Sequence, residues 1–153
     1  MAKQTSRIPS PQTQFSEGTT ITDIDIPDDI KPEISITYLE ISTGEYSLKG
    51  FYKISKKNPD VYKDLSDFMV RARKYKNIQE LLDNHCPKNG LKAKDKTSQQ
   101  KMKEIKKLYN VDTSDMCHIH LKPNGKGAFV LHGFILHNCF EVVWLDPEHK
   151  IHK

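Results

Sequence analysis

Between Cys117 and Asp146 the chain carries a period of two that few folds can accommodate. Cys117, Ile119 and Leu121 alternate with His118 and His120, so the apolar residues take one face of a strand and both imidazoles take the other. Pro123-Asn124-Gly125-Lys126-Gly127 follows, and Asn-Gly readily adopts the positive φ of a tight turn. Ala128 to His137 is apolar on both faces, as expected of a central strand covered on two sides. Gly133 within it predicts a bulge or a close backbone approach. His137-Asn138 turns the chain into Cys139 to Leu145, where Phe140, Val142 and Trp144 alternate with Glu141 and Val143. Asp146-Pro147-Glu148 is a turn, and His149 to Lys153 extends along an edge. Three adjacent strands with short connections require an antiparallel sheet.

The preceding segments supply its cover. Glu33 to Ile41 alternates as a strand, with Ile34, Ile36 and Tyr38 on one face, and Ser42-Thr43-Gly44 ends it. Glu45 to Ile54 fits either a poorer strand or a covering loop. Asn58-Pro59 starts a helix whose stripe is Val61, Leu65, Phe68, Met69 and Ala72. Asn77 caps a short helix carrying Ile78, Leu81 and Leu82, and Ser98 to Tyr109 forms a third with Met102, Ile105, Leu108 and Tyr109 buried. The expected fold is therefore α+β: a mostly antiparallel sheet of about four strands packed by two or three helices. It occupies residues 32–153, and Ser, Thr, Gln and Pro make residues 1–31 a flexible N-terminal tail. Within that tail Ile21, Ile24 and Ile26 stand among Asp23, Asp25, Asp28 and Asp29, an acidic and apolar island suited to docking.

A hydrophobic fraction of 36% and a mean hydropathy of −0.67 fit one domain with a polar tail. No apolar run reaches the roughly 18 residues of a membrane span, no apolar stretch follows the N-terminus, and three cysteines without CxxC spacing indicate a reducing setting. The expected location is the cytoplasm. The net charge of +4 is modest, but eight lysines fall between Lys88 and Lys107, a local field that attracts polyanions.

Six of the seven histidines lie beyond Met116. His118 and His120 stand about 7 Å apart by strand geometry, a spacing that suits an acid/base pair around a phosphate or two ligands of one metal. A third ligand would come from His132, Asp146 or His149. Histidine serves either proton role because its ordinary pKa lies near neutrality. His118, His120, His132 and His149 are the expected catalytic residues, with His152 beside them. Arg71, Arg73, Lys101, Lys103, Lys106 and Lys107 are the expected nucleic-acid contacts. Cys117 and Cys139 occupy apolar strand positions, where thiols are inert.

The element order, one strand, helices and then three antiparallel strands, with basic helices and a histidine near the end, resembles that of the RelE/YoeB-like toxins. Those small bacterial ribonucleases cut messenger RNA, usually on the ribosome, and are restrained by an antitoxin. The resemblance spans Glu33 to Lys153 and implies a metal-independent endoribonuclease needing no cofactor. Its partners would be RNA or the ribosome and an antitoxin or other protein, with no membrane. Two other readings of the residues stay open: a metal-binding protein using His118 and His120, and a non-enzymatic module docking through its tail or basic helix.

Overall fold

The computed structural model describes residues 30–86, 95–111 and 115–151. Among them are four strands and four helices. A short strand β1 (Glu33–Ser35) leads into helices α1 (Leu48–Lys57), α2 (Asp60–Ala72), α3 (Ile78–His85) and α4 (Lys96–Tyr109). Strands β2 (Cys117–Lys122), β3 (Lys126–Leu136) and β4 (Cys139–Asp146) complete the sheet, in the order β1-β4-β3-β2. The α+β class is as expected, and β3 is an interior strand. No helix among the described residues is long and apolar enough to cross a membrane.

The sheet is mixed rather than mostly antiparallel. The β2–β3 and β3–β4 pairs are antiparallel, but β1 lies parallel to β4, Glu33 facing Cys139 and Ser35 facing Glu141. A parallel pair needs a crossover, and the four helices with β2 and β3 provide it. The first strand is also far shorter than Glu33 to Ile41. Ser35 Oγ accepts the Thr37 amide at 3.1 Å and meets Thr37 Oγ1 at 2.9 Å, so a side chain takes the place of the ladder. Of the expected tail, only Ile30 and Lys31 fall within the described residues. The Asn138 side-chain amide donates to both of their carbonyls, and Lys31 Nζ donates to Tyr75 O.

Glu45 to Ile54, read from sequence as strand or loop, holds the additional helix. Ser47 caps α1, its Oγ accepting the Gly50 amide at 3.1 Å and donating to Gly44 O at 2.8 Å. Ser47 is buried, so Ser47→Ala should cost about 1 kcal/mol, in the ordinary range for an N-cap; a urea midpoint equal to that of the wild type would refute this. Asn58 performs the expected capping of α2, its Oδ1 accepting the Asp60 amide at 3.2 Å. In α4, Met102 and Ile105 are buried but Leu108 is 75% and Tyr109 53% exposed, so the buried stripe ends one turn earlier than its spacing implies.

Two layers flank the sheet. On one face Cys117, Ile119 and Leu121 of β2, Leu131 of β3 and Phe140 of β4 pack against Phe51, Phe68, Ile78, Leu81 and Leu82 of α1–α3. On the other, α4 contributes Met102 and Ile105 against Met116, Phe134, Val143 and Trp144. The sides to which β4 residues go expose a break in its alternation. His132 faces Trp144 while Gly133 faces Val142, leaving Val143 as an extra residue, a β-bulge. Phe140 and Val142 therefore face the α1–α3 layer, Val143 and Trp144 both face the α4 layer, and Leu145 returns to the first. Trp144 does not share a face with Phe140 and Val142, contrary to the simple alternation.

Candidate metal centre

The bulge fixes which side Asp146 occupies. With unbroken alternation Asp146 would follow Phe140 and Val142 onto the face covered by α1–α3. One added residue inverts the parity and sets it on the face of His118, His120 and His132. There Asp146 is fully buried. Its Oδ1 accepts the Lys150 amide at 3.0 Å and its Oδ2 the Ile151 amide at 3.0 Å, while His132 Nε2 lies 3.4 Å from Oδ2. Burial acts to raise the Asp146 carboxyl, but the bond to His132 and the two amides outweigh it and hold it below the ordinary carboxylate range. The same carboxylate folds the turn after β4 back on itself, and the His149 amide donates to Asp146 O at 3.3 Å.

That turn delivers His149. Its φ of +52° lies in the left-handed region, which few residues other than glycine occupy. The ring stands 5.4 Å from that of His118 and 5.1 Å from that of His120, and the latter two are 5.4 Å apart. One ring nitrogen from each of the three lies within 4.8 Å of the others, and His118 and His149 are half-buried while His120 is buried. His132, opposite His118 in the β2–β3 ladder, is fully buried with its ring 5.6 Å from His118. It stands behind the trio rather than in it, between Asp146 and His118.

His120 is held at both ends. Its Nδ1 lies 3.2 Å from Gly127 O, so Nδ1 carries the proton and Nε2 is left as the lone-pair nitrogen of the neutral ring. Its carbonyl accepts from Nδ1 of His85 at 2.7 Å, and Tyr75 Oη meets His85 Nε2 at 2.8 Å. Burial pushes the His85 pKa down, keeping a neutral ring that donates at Nδ1 and accepts at Nε2. This Tyr75–His85–His120 chain ties α3 and the connection before it to the strand beneath the cluster. His85 was not among the residues expected to matter. Its signal was present in the spacing Ile78, Leu81, Leu82, His85, which places a histidine on the buried stripe of α3.

The four histidines expected to be catalytic thus meet, three as a trio and His132 as its support; His152 lies outside the described residues. The expected nucleic-acid contacts do not meet. Arg71 is partly occupied, donating to Leu121 O at 3.0 Å on the α1–α3 side, and Arg73 is exposed at the end of α2. Lys101 is bound to Glu40. Lys103, Lys106 and Lys107 are exposed on α4, across the sheet from the arginines. Lys88, Lys92 and Lys94 of the lysine-rich stretch lie outside the described residues. The cysteines are inert as expected: burial pushes both Cys117 and Cys139 up to about 12. Compared with protein-family models, with curated proteins and with solved structures, the chain finds no match in any of the three.

Proposed function

We propose that His118, His120 and His149 bind one divalent transition metal, zinc foremost, and that the protein is a metal-dependent hydrolase. The observation that carries this reading is the convergence of three ring nitrogens within 4.8 Å, from two strand positions and one constrained turn. Zinc–nitrogen bonds of about 2.0–2.1 Å would put tetrahedral ligand atoms roughly 3.4 Å apart, against at most 4.8 Å between these nitrogens. Three neutral imidazoles leave the ion its full charge and a fourth position open, the pattern of catalytic rather than structural zinc. A metal held there would lower the pKa of a bound water to about 7 and so supply hydroxide at neutral pH.

The protein's own groups then have separate tasks. Gly127 O fixes the His120 tautomer. Asp146 holds both the turn bearing His149 and the His132 ring that backs His118. Such outer partners keep ligands oriented and are worth about 10–100-fold in metal affinity.

The test is elemental analysis of protein purified without a polyhistidine tag and equilibrated with zinc. One zinc per chain is expected, falling below a tenth in the His120→Ala/His149→Ala variant. A folded wild type that takes up no zinc would sink the proposal. A second reading, the metal-independent ribonuclease implied by the toxin resemblance, draws on the same convergence of four histidines. It predicts that RNA cleavage persists in EDTA, whereas the metal reading predicts that hydrolysis stops in EDTA and returns with zinc.

A further inference from the structure

On the other side of the Pro147–Lys150 turn lies a cleft of about 670 Å³ between that turn, the Ser42–Ser47 loop and α1. Four of its lining residues are Lys49, Lys53, Lys57 and Lys150. The first three recur every fourth residue, so they form a row along one helix face with steps of about 6 Å. Among the described residues none of these three takes part in an ion pair. The cleft also contains Glu45 and Glu148, but both are already bound to Lys150 Nζ, which they hold protonated. The lining is therefore positive overall, by two charges, and the excess comes from the lysine row.

The helix end itself is not the attraction. Leu48 and Lys49 donate their amides to Glu40 O and Ile41 O, and Gly50 and Phe51 donate theirs to Ser47, so the first turn of α1 has no amide left for an anion. Gly50 is what allows the Ser42–Ser47 loop to close against α1: a Cβ there would sit 2.0 Å from Glu45 O. A walled cleft is thus lined by three lysines that recur along one helix face, with Ser42 and Asn58 as further polar lining residues.

We infer that this cleft binds a run of phosphate groups, with Lys49, Lys53 and Lys57 each meeting one. Flexible ammonium groups suit phosphates as point charges, and a row of them matches a ligand whose charges also repeat. Either a phosphodiester backbone or a short oligophosphate presents that chemistry. The inference stands apart from the metal proposal, since it needs no occupant in the histidine cluster.

The experiment is titration of the full chain with tripolyphosphate and, separately, with a single-stranded RNA decamer. Lys53→Ala/Lys57→Ala should weaken binding at least tenfold without loss of helical signal, because alanine favours helix. For the decamer, log affinity against log salt should fall with a slope near −2, about 0.7 per lysine contact. Equal binding of both probes assigns a small oligophosphate, and binding of the decamer alone assigns a nucleic-acid backbone. The idea is overturned if neither probe binds, if the double variant binds as the wild type does, or if Lys103→Ala/Lys107→Ala causes the larger loss.

Discussion

Gly133→Val should leave almost no soluble folded protein, and Gly133→Ala should cost about 3 kcal/mol, the upper end of what overpacking usually costs. A Cβ at this position would lie 2.1 Å from Glu141 O and 2.9 Å from Phe140 Cζ. Neither neighbour can give way easily. The oxygen belongs to the backbone of β4, and Phe140 is fully buried in the core. The position is moreover the one at which the β3–β4 register shifts, so any displacement would be felt by His132 and Trp144 next to it. Urea denaturation of the alanine variant provides the measurement. A loss below 1 kcal/mol would mean that β4 moves aside freely.

Asp146→Ala should cost about 3 kcal/mol or more, because several buried donors lose their acceptor at once, at about 1–3 kcal/mol each, and should also weaken zinc uptake. The substitution strips partners from His132 and from the Lys150 and Ile151 amides at once. The turn that presents His149 then has nothing to fold around. The pH dependence has a definite sign. Because the folded carboxyl holds its proton less tightly than an unfolded one, its stabilisation is complete above the unfolded value near 3.9. It is lost as pH falls from there through the lower folded value. The gap between the urea midpoints of wild type and Asp146→Asn should therefore be constant from pH 6 to about pH 4 and begin to narrow as pH falls towards 3. Parallel curves would show that the charge of Asp146 is immaterial and only its shape counts.

The parts of this fold that were legible in sequence are those written in a single local code. The alternation of Cys117 to Leu121, the Asn124-Gly125 turn and the Asn58-Pro59 start each depend on neighbouring residues only, and each appears where expected. Gly133 was legible for the same reason as a close approach, while the bulge falls opposite it, at Val143 of β4. Helix α1 was not, because Tyr46, Leu48, Phe51 and Tyr52 fit two periods equally well and the decision rests on Ser47 capping a buried turn. Missing the helix also hid the Lys49-Lys53-Lys57 row, which has meaning only at helical spacing. The direction of β1 follows from the crossover of the whole chain, beyond the reach of any window. For the site, strand parity put His118 and His120 together correctly, and His149 stood among three candidates for a third ligand. Choosing it over His132 required the Asp146 turn, a tertiary arrangement.

The extra residue in β4 has an evolutionary and engineering consequence. Whether Asp146 reaches the histidines depends on how many residues precede it in the strand, and hardly on which residue Val143 is. Exchanging Val143 for another aliphatic side chain preserves the arrangement. Deleting it carries Trp144, Leu145 and Asp146 each to the opposite layer while every side chain around the cluster keeps its identity. Among chains of this kind, function would be gained and lost through changes of length at one place, and a comparison that scores only matched residues would pass over them. Aligning such chains by the count from Gly133 to the aspartate is the surer guide to whether the centre is intact.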